Sequence, residues 1–183
     1  MKKLIFFSIL LCFVIVAFAI YQPGNKHVID SAKLPEFKSA EEVVSNSELI
    51  VKVRKVNEKP VAYDLGDGHF DNFTLSVLEI EKVIKPIVGK ELSQGDLVTV
   101  LESEWTESKT NIVHHLENYS KMKNQKTYIL YLGYNAEADN YYPVGLLYGK
   151  VPVDASEKNF YGDFKNERIL DIVTELRKRT ETE

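Results

Sequence analysis

The chain has 183 residues, with 23 basic and 27 acidic side chains and one cysteine, Cys12. A single cysteine excludes a disulfide-stapled domain, and an acidic balance with no basic block excludes nucleic acid as a partner. About 164 residues follow the first nineteen, enough for one domain that relies on an apolar core.

Met1-Lys2-Lys3 precedes an apolar run from Leu4 to Ile20 that only Ser8 interrupts. Lysines before an apolar core open a secretory signal, and Ala17-Phe18-Ala19 supplies the small-x-small pattern for cleavage after Ala19. A retained membrane anchor is the alternative. As a helix, residues 4–20 would reach about 25 Å, at the short end for a hydrocarbon core of about 30 Å. Lys2 and Lys3 would hold that end in the cytoplasm, so both readings place the body outside, secreted or anchored by its N-terminus. Leu11, rather than a small residue, precedes Cys12, which argues against a lipid anchor. Without Lys2 and Lys3 the body keeps 21 basic against 27 acidic side chains, a net charge near −6.

Residues 21–38 carry Pro23, Gly24 and Pro35 with little periodicity and read as a tether. Ser39-Ala40-Glu41-Glu42 is a capping-box pattern that opens a helix of one or two turns. From Leu49 to Val53 apolar residues alternate with Lys52 and Arg54, the period of a strand. Asn57 to Asn72 is polar, with Gly66 and Gly68 as turn residues. Phe73, Leu75 and Val77 alternate and then yield to Leu78 and Ile80, a phase change that predicts a β-bulge or a strand bent between two packing surfaces. Pro86 ends that strand. Gly95-Asp96 turns into Leu97–Leu101, and a polar stretch to about Lys126 follows, with a helical turn expected near 113–119. Tyr128 to Tyr134 is the strongest strand. Tyr141–Val144 and Tyr148–Val153 give two shorter ones. Ile169, Ile172, Val173 and Leu176 form an apolar stripe on a helix over 167–179, with Asn166 as its N-cap.

The expected organisation is therefore a signal peptide or anchor over 1–20, a tether over 21–38 and one β-rich extracytoplasmic domain over 39–183. Five or six strands with a terminal amphipathic helix fit a small, mainly β, OB-like barrel. The segments carrying this pattern are Ser47–Val53, Phe73–Lys85, Gly95–Val100, Tyr128–Leu132, Tyr142–Gly145 and Tyr148–Lys150. Their order resembles the OB-fold-like barrel of TIMP-like and netrin-like modules, and a broad group of uncharacterised small secreted proteins of Gram-positive bacteria. The metalloprotease inhibitors of that fold class chelate their target's metal through an N-terminal cysteine, which the body here lacks. Fold alone does not confer function.

Candidate chemistry is sparse. His114 and His115 are the metal-ligand candidates, but adjacent histidines on a strand point to opposite faces. Neither Glu117 nor His69 completes an HExxH-type spacing, so no metal and no cofactor is expected. Asp64 to Asn72 is rich in acids and glycine, yet the acids fall at positions 1, 4 and 8, off the calcium-loop spacing, and a hairpin or Ω-type loop with Asx turns accounts for them. Glu102 and Glu104 leave a strand on one face beside Trp105, suiting a glycosidase-like acid pair or a sugar-stacking platform. Tyr128, Tyr131, Tyr134, Tyr141, Tyr142 and Tyr148 crowd the last strands, either as a wet binding face or as good strand formers. No catalytic residue stands out; the ligand-contact candidates are Glu102, Glu104, Trp105, Tyr131 and Tyr142. The reading that follows is a non-enzymatic envelope module binding a protein or small ligand. A metal- or carboxylate-dependent hydrolase and a protease-inhibitor-like module are the alternatives.

Overall fold

A computed structural model describes residues 25–66 and 69–181; the leader, Cys12 and the cleavage point lie outside them. The elements run β1 (His27–Asp30), α1 (Ala40–Asn46), β2 (Leu49–Gly66), β3 (His69–Lys85), β4 (Leu97–Glu102), β5 (Glu104–Thr106), β6 (Val113–Leu116), β7 (Thr127–Asn135), β8 (Asn140–Pro143), β9 (Lys150–Pro152) and α2 (Glu167–Glu181). Ser39 caps α1, its Oγ accepting from the Glu42 amide at 3.4 Å. The Glu42 carboxylate reaches past the cap and accepts from the Lys38 amide at 2.7 Å. Asn166 caps α2 through the Ile169 amide at 3.2 Å.

Six strands form one sheet in the order β2-β3-β4-β8-β7-β9, and β2 also pairs with β7, so β2, β3, β4, β8 and β7 close into a ring. One face of every ring strand supplies the filling: Leu49, Val51 and Val53, then Leu78 and Ile80, Val98 and Val100, Leu130 and Leu132, and Tyr141. The opposite side, at Ile50, Ile129, Tyr131 and Val151, packs against Ala40 and Val43 of α1 and the Ile169–Leu176 stripe of α2. β7 is thus apolar on both faces, which explains the nearly uncharged run Tyr128–Tyr134. A second sheet, ordered β1-β6-β5, carries β1 parallel and β5 antiparallel to β6.

Three expectations change. The tether contains β1, which pairs with β6 from His27↔Val113 to Asp30↔Leu116, and Phe37 joins the core, so only the stretch before Asn25 stays open to that reading. Residues 113–116 are strand rather than helical turn. The polar stretch 57–72, which shows no strand period, is paired strand: β2 and β3 continue as a two-stranded ribbon to Gly66↔His69, the hairpin alternative for 64–72.

The phase change in β3 has a different cause from the one expected. Thr74, Ser76, Leu78 and Ile80 are all buried on the same side, so the strand keeps one phase and its interior positions turn polar at 74 and 76. The β2–β3 register does slip, skipping Glu81 and Ile84 of β3 beyond the phase change, and slips again between Lys55 and Asn57. That slip adds one residue on β2 and carries Glu58 to the same side as Lys55.

Candidate functional site

Inside one end of the ring lies a polar network. Lys55 stands in phase with Leu49, Val51 and Val53, and Glu102 in phase with Val98 and Val100; both side chains are 0% exposed. The Lys55 ammonium donates to Glu102 Oε1 at 3.0 Å, Glu58 Oε2 at 2.6 Å and the Met122 carbonyl at 2.7 Å. Ser76 Oγ also donates to Glu102 Oε1. Glu102 Oε2 accepts from the Tyr119 hydroxyl at 3.1 Å and the Met122 amide at 2.6 Å. The buried charge pair is therefore hydrogen-bonded throughout, the condition under which such a pair is tolerated.

Lys150 is buried beside it, donating to the Ser120 carbonyl with its ammonium 4.2 Å from the centre of the Tyr119 ring. Burial lowers its pKa to about 8, against the opposing pull of Glu102 and Glu104. Burial, with the Glu102 charge next to it, pushes the Tyr119 phenol well above its usual range. Burial also acts to raise the Glu58 carboxyl, but hydrogen bonds from Lys121 and Lys55 outweigh it and hold the group below the usual carboxylate value.

The second sheet brings the histidines onto its two faces. His115 is buried; its Nδ1 lies 2.9 Å from the Tyr119 carbonyl and 3.2 Å from Glu104 Oε2. A carbonyl only accepts, so Nδ1 carries a hydrogen, while Nε2 lies 2.8 Å from His27 Nδ1. Tyr161 lies flat over both rings, at 3.8 Å and 4.6 Å between centroids. This joint fastens β1 to the body. His114 turns to the other face, where Nδ1 meets Asp30 Oδ2 at 2.8 Å and the ring stacks on Trp105 at 5.0 Å and 3°. The two histidines thus diverge. Among the described residues no group of three or more His, Cys, Asp or Glu is placed to hold a metal.

The ligand-contact candidates are likewise separated. Glu102 is sealed in the ring. Glu104, one strand over, accepts from the Lys121 amide at 2.9 Å and lines a separate cleft of about 360 Å³ with Glu58, Ser120 and Lys121 to Asn124, so the two acids do not share one site. Tyr131 is core, its hydroxyl donating to the Leu176 carbonyl at 3.3 Å. Tyr128, Tyr141 and Tyr148 are buried too, so most of the tyrosine cluster is filling rather than a wet face. Tyr142 is 43% exposed and lies across Gly133, where a Cβ would come within 2.5 Å of its ring; it does not line the groove at Trp105.

Trp105 alternates with Glu104 on β5 and so points to the opposite side. It lines a groove of about 420 Å³ whose other walls are Pro60, Val61, Ala62 and Asn72 of the ribbon and Thr106 to Lys109 beyond β5. Asn72 and Trp105 also border a smaller adjoining cleft of about 250 Å³. The ribbon and β5 are held together by Thr74 Oγ1, which donates to the Glu104 carbonyl at 2.6 Å. Sequence reasoning found Trp105 but missed its setting, because the ribbon wall is polar and shows no strand period. Lys55, Ser76 and Lys150 were missed outright, although Lys55 and Ser76 stand at interior positions of their strands' alternation.

No protein-family model and no curated protein matches the chain.

Proposed function

We propose that this chain is an exported envelope protein, secreted or held to the membrane through residues 4–20, whose body is an OB-like barrel that binds rather than catalyses. It would belong with the small secreted Gram-positive proteins that its strand order resembles. The observation that carries the binding reading is the groove at Trp105, where an aromatic side chain is braced from behind by the His114–Asp30 pair and left along an open trough. A braced ring loses little conformational freedom on meeting a ligand, which favours affinity. The volume lies within the range of about 300–1,000 Å³ for small-molecule sites. The hydrolase alternative draws no support from the paired acids, since Glu102 has no route to solvent in this arrangement.

The export half of the reading is tested by fractionating expressing cells and weighing the intact chain. The expected result is recovery outside the cytoplasm, either with Ile20 as first residue or with Lys2 and Lys3 retained at the membrane. Full-length chain in the cytosol would overturn it.

A further inference from the structure

We propose that the Trp105 groove is a saccharide site, taking a neutral oligosaccharide with one sugar ring against the indole. This deepens the binding reading above and rests on it. A pyranose presents a flat patch of C–H groups on its face and hydroxyls around its edge. It therefore asks for a rigid aromatic surface beside groups that both donate and accept hydrogen bonds.

The groove has both. Trp105 supplies the surface, and it is fixed: His114 stacks on it at 3°, and Asp30 pins His114 at 2.8 Å. Asn72 and Ser108 belong to the same lining and bring an amide and a hydroxyl to it. The charges cancel, since Glu107 and Lys109 are the lining's only ionic side chains and have opposite sign. A phosphate-bearing or strongly acidic ligand would meet no net positive field there, and the body's acidic balance repels it further. Pro60, Val61 and Ala62 form a small apolar wall that receives a methyl group, so an N-acetylated sugar fits better than a plain one.

Trp105 is the chain's single tryptophan, so intrinsic fluorescence reports on the groove alone. The mature protein, purified from the expressing cell, is titrated with a hexamer of β-linked N-acetylglucosamine and, separately, a hexamer of glucose. Saturable change in emission with the first, and a weaker response with the second, is the expected result. Calorimetry then compares variants: Trp105→Ala weakens binding at least about tenfold, the scale of one lost aromatic contact. Asn72→Ala weakens it several-fold with the melting temperature held, which guards against a Trp105 variant that merely unfolds. No response to either hexamer, with retention on isolated cell envelopes still dependent on Trp105, overturns the saccharide assignment and leaves the binding reading standing. No response and no such retention overturns both.

Discussion

Glu102→Gln is expected to remove about 3–5 kcal/mol of stability, the loss that follows when one partner of a buried, hydrogen-bonded ion pair is neutralised. The substitution keeps the volume and changes the chemistry. Glu102 accepts four hydrogen bonds, from Lys55, Ser76, Tyr119 and the Met122 amide, and a glutamine presents an NH₂ to one pair of these donors. The Ser76 and Tyr119 hydroxyls can rotate, but the Lys55 ammonium and the Met122 amide cannot become acceptors. Lys55, fully buried, would keep Glu58 and the Met122 carbonyl but lose its enclosed counter-charge. A domain of this size holds about 5–15 kcal/mol in total, so the variant should stand near the edge of folding in a urea titration. The double variant Lys55→Met with Glu102→Leu should recover only part of the loss, because it removes the charges' desolvation penalty but leaves Ser76, Tyr119 and the Met122 amide without the Glu102 acceptor. A loss under about 1 kcal/mol for Glu102→Gln would mean that the carboxylate is not enclosed as described.

Lys150→Met is expected to act in the opposite direction and to depend on pH. Burial places the folded-state pKa at about 8, whereas an unfolded lysine titrates near 10.4. Below pH 8 both states hold the proton, and the charged side chain costs the fold about 3 kcal/mol relative to a neutral one. Between pH 8 and about 10 the unfolded chain binds more protons than the folded one, so wild-type stability rises with pH, by up to about 1.4 kcal/mol per unit. Above pH 10 the rise turns over. Burial raises the pKa of Tyr119, of Tyr128 and of Tyr141, so unfolded tyrosines ionise first and draw the equilibrium away from the fold. Methionine fills the same space over the Tyr119 ring without a charge, losing the bond to the Ser120 carbonyl and the ammonium's contact with that ring. The variant should therefore be about 1–2 kcal/mol more stable at pH 7, with the advantage shrinking to nothing by pH 9.5. Parallel urea titrations at pH 7, 8.5 and 9.5 check this. A gain that did not change with pH would show that Lys150 keeps its ordinary titration.

The interior network also shows which parts of this molecule its sequence makes legible. Strands with uniform apolar alternation, such as Leu49–Val53 and Leu97–Leu101, declare themselves, and so does the α2 stripe, because burial of one face is a local, periodic demand. Pro86 marks the end of β3 for an equally local reason, its missing amide hydrogen. The polar interior is legible only in hindsight: Thr74 and Ser76 break the alternation of β3 because they face Glu104 and Glu102 from other strands, and no local rule supplies those partners. The same holds for β1. His27 to Asp30 look like linker because their pairing partner, β6, lies more than eighty residues downstream, and β6 itself is four residues long in a polar setting. The described ribbon residues 57–63 and 71–73 are exposed or only partly buried on both strands, which leaves no hydrophobic period to detect there. For the site, Trp105 and the carboxylates were visible as residue types. Their alternation along β5, which sends Glu104 inward and Trp105 to the groove, becomes decisive only once the neighbouring strands are in place.

The proposal that this body binds through the Trp105 groove is tested most directly by retention of the mature protein on isolated cell envelopes, with wild type and Trp105→Ala compared at equal fold stability. Retention of the wild type and its loss, by about tenfold or more, in the variant is the predicted result. Equal retention of the two proteins would contradict it.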